Sequence, residues 1–398
     1  MDRPDRLLTP RFAVVVGSGL AYFLSLGMLL PVIPRYVQHR LGGNSVDVGI
    51  AVGALFVGAL LLRPYAGRIG DRIGRRPLIV GGALVVSVAA LLYSAASSLG
   101  FLIGARLLAG VGEAAFFVGA ATMITDLAPA ERRGEAISYW SVAVYGGLAF
   151  GPALGELALD AGGYRTTWLL SAALAGVAAA LGICTREVVR PPGEAAVGMV
   201  VNRAALGPGA VLFSGLIALA AFTAFVPLYV DQVGLSGADT VFLLYGGLVL
   251  AVRIVGARLP DRLGGLRAGA IALVATTSGM TVMAAWQSVA GLYSGTVLFA
   301  AGASLLYPAL LLLALGAAPD TQRASVVGTF SSFFDLSQAT GSLIVGGVAA
   351  ATSYRGAFGA AAVSAAGGLV VLRTLTRRRT RRVQIDEEDA FVAEHPAP

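Results

Sequence analysis

The 398-residue chain holds one cysteine and two histidines, and all 29 of its Lys and Arg residues are arginine. The lone Cys184 permits no internal disulfide and no thiolate cluster. With only His39 and His395 beside it, the chain lacks the ligands of a zinc-type metal site, and no cofactor is expected. Charge is scarce too: 13% of residues are Asp, Glu or Arg, against about 25% in soluble domains. Too little polar surface remains to surround the apolar runs, which excludes a soluble helical core. Nor does the pattern offer a nucleophile, base or metal-ligand cluster of the kind a membrane enzyme needs near an interface, so no enzymatic role is expected. Nucleic acid as a partner has nothing in its favour beyond a net charge of +7.

What is present is apolar length. The chain is 57% hydrophobic, with a mean hydropathy of +0.79. Apolar windows recur near 12–34, 46–66, 77–97, 99–125, 134–159, 165–185, 207–230, 239–259, 268–287, 289–317, 323–351 and 355–375. Windows of about 20 such residues cross a bilayer as helices, which predicts an all-α membrane protein of about twelve spans. The first window follows Arg3, Arg6 and Arg11 but has no small-residue cleavage site and is followed by further spans, so it reads as a retained helix. Among the loops, only Arg35, Arg40, Arg165 and Arg355 fall on one side; the others cluster with the termini, which places both termini in the cytoplasm and the protein in the cell membrane. The run TRRRTRR at 376–382 reads as a topology anchor, with anionic lipid headgroups as the alternative partner. The acidic tail after it reads as solvated and unstructured.

A fixed offset of 190 residues relates the two halves. Arg63, Arg68, Asp71, Arg72 and Gly74 match Arg253, Arg258, Asp261, Arg262 and Gly264. Pro129 and Arg133 match Pro319 and Arg323, and Gly151, Tyr164 and Arg165 match Gly341, Tyr354 and Arg355. The expected organisation is a six-helix half over 1–185, a cytoplasmic link over 186–206, a second half over 207–376 and a tail over 377–398. An even number of spans per half gives parallel repeats, an arrangement of transporters that hold substrate between the halves near the midplane.

The stretch GRIGDRIGRRP at 67–77 resembles the signature loop between helices 2 and 3 of the major facilitator superfamily, and RLPDRLGG at 258–265 resembles its degenerate copy. The resemblance covers the membrane region. It implies that Gly67, Asp71, Arg72, Gly74, Arg75 and Arg76, with Asp126 at the end of the fourth span, latch the halves together through the eleventh. The physical reason is that glycines permit close packing and a sharp turn. A carboxylate at Asp71 then sits well against the positive end of a neighbouring helix. The bland reading, that the arginines merely hold the loop inside, accounts for Arg72 and Arg76 alone.

In the fifth span, SVAVYGGLAFGPALGEL resembles the antiporter motif of superfamily exporters through Gly147, Gly151, Pro152 and Gly155, with Ser138 and Glu156 where that motif has glycine. LPVIP at 30–34 resembles a motif of the twelve-helix drug/proton antiporters, and Arg106 with Gly110 resembles the family's fourth-helix motif, with Ala109 in place of its usual glutamine. The resemblance implies a proton-coupled exporter of small amphiphilic or drug-like compounds. An exporter or importer of a specific metabolite and a lipid flippase are the alternatives in the same fold. The partners expected are a small-molecule substrate, protons and the bilayer, with the monomer as the working unit.

Ionised groups inside the bilayer cost a few kcal/mol, so they mark a pathway or a partner. Arg106, Glu113 and Asp335 lie deepest by position, and Glu113 and Asp335 are the expected proton carriers, since burial favours a carboxyl's neutral form. Arg106 shares a helix face with Glu113, about 10 Å away in height, and is expected to act on it. Arg63 and Arg253 are expected to snorkel or pair locally, and Glu156, Asp160 and Asp231 to sit at the interface. Tyr22, Phe117, Tyr145, Phe225, Tyr245, Tyr307 and Phe334 are candidates to line a substrate cavity.

Overall fold

The computed structural model describes residues 7–129, 132–185, 201–256, 259–319 and 322–394, with some side chains, including those of Asp71, Ser138 and every residue beyond 375, outside the description. Most of the link and His395 therefore lie outside the described residues. Every regular element among them is helical: α1 (Pro10–Arg35), a π-helical turn (Tyr36–Arg40), α2 (Ser45–Ile73), α3 (Arg75–Tyr93), α4 (Leu99–Leu127), α5 (Arg133–Cys184), α6 (Arg203–Gln232), α7 (Asp239–Val255), α8 (Leu259–Leu263), α9 (Gly265–Ala285), α10 (Val289–Leu315), α11 (Arg323–Ala351) and α12 (Tyr354–Glu394). Among the described residues, nine segments have the length and hydropathy of a membrane span. One of them, α5, is two arms that fold back at Gly162–Gly163, where Gly163 takes φ +68°. The 17-residue α7 matches α2 at the 190-residue offset, and α11 matches the first arm of α5. The result is the predicted pair of six-helix bundles.

Local chemistry repeats with the same offset. Ser98 caps the amide of Phe101 at the start of α4, and its repeat mate Ser288 caps Gly291 at the start of α10. The turn from α2 to α3 passes through Gly74 at φ +98°, and the turn into α9 through its mate Gly264 at φ +75°. Both need a residue tolerant of positive φ, which is why the glycine recurs.

Within the first half, α1 and the first arm of α5 touch backbone to backbone. A Cβ on Gly27 would lie 2.6 Å from the Gly147 carbonyl oxygen, and one on Gly151 would lie 2.7 Å from the Gly27 Cα. Gly155 meets the Met28 carbonyl in the same seam, and Pro152 is buried beside it. In the second half the equivalent of Gly27 is Ile217, and Gly341 packs against that side chain. Small residues permit this approach where no hydrophobic force drives helices together in lipid.

The halves meet along two related seams. Between α2 and α11, Gly49 abuts Ser342, a Cβ on Gly53 would lie 2.8 Å from the Ala339 oxygen, and one on Gly346 would lie 2.8 Å from the Ser45 oxygen. Between α5 and α7, Gly246 abuts Ala149. Gln38 also donates to the Tyr354 hydroxyl across the halves at 2.7 Å. The contacts of Gly49, Gly346 and Gln38 lie toward the helix ends away from the termini.

One expectation is corrected here. The acidic tail, expected to be unstructured, continues α12 to Glu394. From 376 to 394 the chain has no glycine or proline and holds five Arg and three Glu, so nothing in it stops the helix.

The glycine seam yields a test. Gly151→Leu should lower stability by about 1–3 kcal/mol through overpacking, read as a lower Tm of the purified protein. Gly104→Leu, at an exposed site with no neighbour within 4 Å of its Cβ, should leave the Tm unchanged.

Candidate functional site

Two of the deepest charges, Glu113 and Asp335, gather on Arg63 at the seam of α2 and α11. Its Nη2 donates to Glu113 Oε2 of α4 at 2.9 Å and to Asp335 Oδ1 of α11 at 3.0 Å. Its Nε lies 2.5 Å from Asp335 Oδ2. Side-chain exposure is 13% for Arg63, 12% for Glu113 and 1% for Asp335. The planar fork of a guanidinium suits this shared grip on two carboxylates. The Phe117 ring closes one side, with its centroid 5.1 Å from the guanidinium carbon.

Arg63 therefore does not snorkel or pair within its own neighbourhood. It joins the two sequence-predicted carboxylates to each other and one half to the other. The glycines of the α2–α11 seam are the reason, because they bring Asp335 within reach of a residue far away in sequence. Arg106, in contrast, does not touch Glu113. Its Nε donates to the Ala51 carbonyl at 3.0 Å and its Nη2 to that of Val52 at 3.3 Å. Close packing of Gly58 and Gly110 lays α4 along α2 and turns Arg106 onto the α2 backbone.

Arg253, the repeat mate of Arg63, also reaches across the halves. Its guanidinium carbon lies 3.5 Å from the centroid of the Tyr145 ring on α5. Tyr145 is itself the repeat mate of Asp335, so the two arginines make equivalent crossings to unlike partners.

A second buried ion pair replaces an expected interfacial charge. Arg35 Nη1 lies 2.5 Å from Glu156 Oε2, and Arg35 Nε donates to the Pro227 carbonyl of α6 at 3.1 Å. Glu156 is 3% exposed. It is buried because the α1–α5 glycine seam holds both helices against α6.

At the face carrying the termini, Arg75 Nη1 donates to the Gly70 carbonyl at 2.8 Å, and its Nε lies 3.4 Å from Asp126 Oδ2. Arg76 donates to the Ile183 carbonyl at 2.7 Å, tying the loop to the end of α5. Gly67 and Arg72 are exposed, and the Asp71 side chain lies outside the described set.

The aromatic candidates divide. Tyr22 is buried and stacks on Phe116 at 3.8 Å, and buried Phe225 stacks on Tyr354 at 5.5 Å, so both belong to the packed core rather than to a cavity. Phe117 and Tyr145 lie against the two arginines, and Phe334 faces Phe56 across the halves at 6.3 Å. Tyr307 shares a 3.0 Å hydrogen bond with Ser331, and Tyr245 stacks on Phe299 at 5.3 Å.

The sequence profile of the Major Facilitator Superfamily matches residues 15–289 and 261–396. The chain belongs to the major facilitator superfamily. This transporter is 29% identical over 369 residues to an uncharacterized MFS-type transporter of Salmonella typhimurium, covering 89% of this chain and 94% of that one. An uncharacterized MFS-type transporter of Burkholderia mallei is 27% identical over 398 residues, covering 96% and 97%. Among solved structures, the nucleoside transporter NupG superposes with a TM-score of 0.75 at 10% identity, covering 92% of this chain and 99% of that one. The human organic anion transporter MFSD10 superposes with 0.69 at 18% identity, covering 92% and 100%. At these identities the likeness is one of fold. The superfamily consists of carriers rather than enzymes, so the protein is a secondary transporter that moves small molecules across a membrane.

Sequence reasoning missed Arg63 as the hub. The available signal was its place inside the apolar window 46–66, together with a repeat mate, Arg253, inside the window 239–259. Arg63→Ala should cost about 3–5 kcal/mol, because it strips two buried carboxylates of their shared counter-charge. Adding Asp335→Asn should recover part of that loss, and the Tm values of the two purified variants check it.

Proposed function

We propose that the transporter exports small amphiphilic compounds in exchange for protons. The observation that carries this reading is that two carboxylates, Glu113 from the first half and Asp335 from the second, share the one guanidinium of Arg63. With both carboxylates ionised the cluster holds one excess negative charge, and in an apolar interior uncompensated charge is costly. One proton makes it neutral. Protonation of Asp335 weakens the tie between α2 and α11 and lets the halves separate; release of the proton restores it. Proton binding is in this way linked to which face is open, as alternating access requires.

Three further features support the direction and sidedness. The glycine seam of Gly147, Gly151 and Gly155 carries the exporter-like motif. The excess of arginine at the face of the termini supports a cytoplasmic position for both ends. The loop after α2, with Arg75 bound to Asp126, supports a latch in which Asp71 meets the start of α11 on that face.

Two measurements test this reading. Glu113→Gln and Asp335→Asn, reconstituted separately in liposomes with an imposed pH gradient, should each abolish gradient-driven movement of a panel of amphiphilic dyes; persistence of coupled transport in both would remove the cluster as proton carrier. Asp71→Asn should leave the protein inserted while raising cysteine labelling in the cytoplasmic cavity. Unchanged labelling with normal transport would reduce that loop to a topology anchor.

A further inference from the structure

The two arginine crossings differ in one respect that the repeat makes visible. Arg63 meets Asp335 and Glu113, whereas the positions equivalent to these carboxylates in the other crossing are Tyr145 and Ala303. Among the described residues no carboxylate pairs with Arg253, and its Nε is a buried donor without an acceptor. A guanidinium cannot shed its charge by deprotonation. The Tyr145 ring offsets part of the cost of holding it in the bilayer interior, through a cation–π contact, but accepts none of its planar hydrogen bonds. The fork is left free for an incoming anion.

The surroundings describe the rest of that ligand. Tyr245 lies two turns before Arg253 on α7, within electrostatic reach of both Arg253 and Tyr145. Tyr307 on α10 lies within reach of Tyr145 and of the Arg63 cluster. A cation flanked by aromatic rings fits an anionic head carried on a flat apolar body. Glu113 and Asp335 are both engaged by Arg63 and leave Arg253 uncompensated.

We propose that Arg253, over Tyr145, is the docking point for the anionic group of the substrate, and that the cargo is an amphiphilic organic anion with a carboxylate or sulfonate head. This rests on the transport reading above and names the class of its substrate. The pseudo-symmetric halves thus divide the labour: one arginine keeps protein carboxylates that take protons, and the other is kept empty for cargo.

The probe is 2-naphthoate, with neutral 2-naphthamide as its control, against the full chain in nanodiscs of zwitterionic lipid with no pH difference. 2-Naphthoate should raise the Tm of the wild type in a saturable way, and the amide should not. Arg253→Gln should weaken the apparent Kd by about tenfold or more, the loss of one charge-assisted hydrogen bond. Tyr145→Asp supplies the carboxylate that the repeat mate carries; it should fold at least as well as the wild type and lose 2-naphthoate binding to its own internal anion. The proposal is overturned if 2-naphthoate leaves the wild type unchanged, if the amide binds equally well, or if either variant binds 2-naphthoate with unaltered affinity. Should Arg253→Gln fail to fold, Tyr145→Asp decides alone. Because binding is read without a gradient, failure of proton coupling leaves this result standing, and failure here leaves proton coupling intact.

Discussion

A guanidinium shared between two carboxylates, drawn from opposite halves and held in an apolar interior, sets the terms for the rest of this transporter. Charges at that depth are costly unless something offsets them, and Arg63 is paired twice, to Glu113 in its own half and to Asp335 in the other. The pairing requires α2 and α11 to lie nearly in backbone contact, which Gly49, Gly53 and Gly346 permit. Larger side chains there would hold Asp335 away and leave that carboxylate buried without its partner. Packing of small residues and the electrostatics of the cluster are therefore one constraint.

The internal repeat supplies the scaffold, and its departures supply the chemistry. Matching caps at Ser98 and Ser288 and matching turns at Gly74 and Gly264 build equivalent helix pairs in both halves. Against that background Asp335 stands opposite Tyr145, Glu113 opposite Ala303, and Gly27 opposite Ile217. Each substitution falls at a seam between helices. The carboxylates gather around one arginine and leave its mate over an aromatic ring.

A second charged tie stands toward the face away from the termini, where Arg35 holds Glu156 and reaches the Pro227 carbonyl of the other half. It lies at a different depth from the Arg63 cluster, near the glycine contacts that close that face. Both ties connect α-helices of the first half to backbone or side chains of the second. The interhalf contacts thus combine glycine seams, which are apolar and insensitive to protonation, with polar links whose strength depends on charge. A carrier that must alternate between two closures needs the second kind, because ion pairs change with protonation and apolar contacts do not.

Much of the fold was legible before any coordinates. Apolar windows, the arginine pattern and the 190-residue offset are properties of composition and spacing, and membrane helices obey them because a bilayer demands continuous apolar length and internally bonded backbone. The same reasoning singled out Glu113 and Asp335 as the deep carboxyls. It assigned Arg106 to Glu113 from helical spacing, and it left Arg63 and Glu156 at the periphery. The structure departs from these readings for a common reason, since spacing along one helix reports which residues share a face and says nothing about which helix that face meets. The sequence by itself determined the spans, the two halves and the carboxylates worth watching. Only the tertiary structure decided that Arg63 joins them, that Arg106 binds the α2 backbone, and that Arg253 faces a ring instead of a carboxylate. Those outcomes depend on the approach of helices more than a hundred residues apart in the chain, and that approach is set by packing.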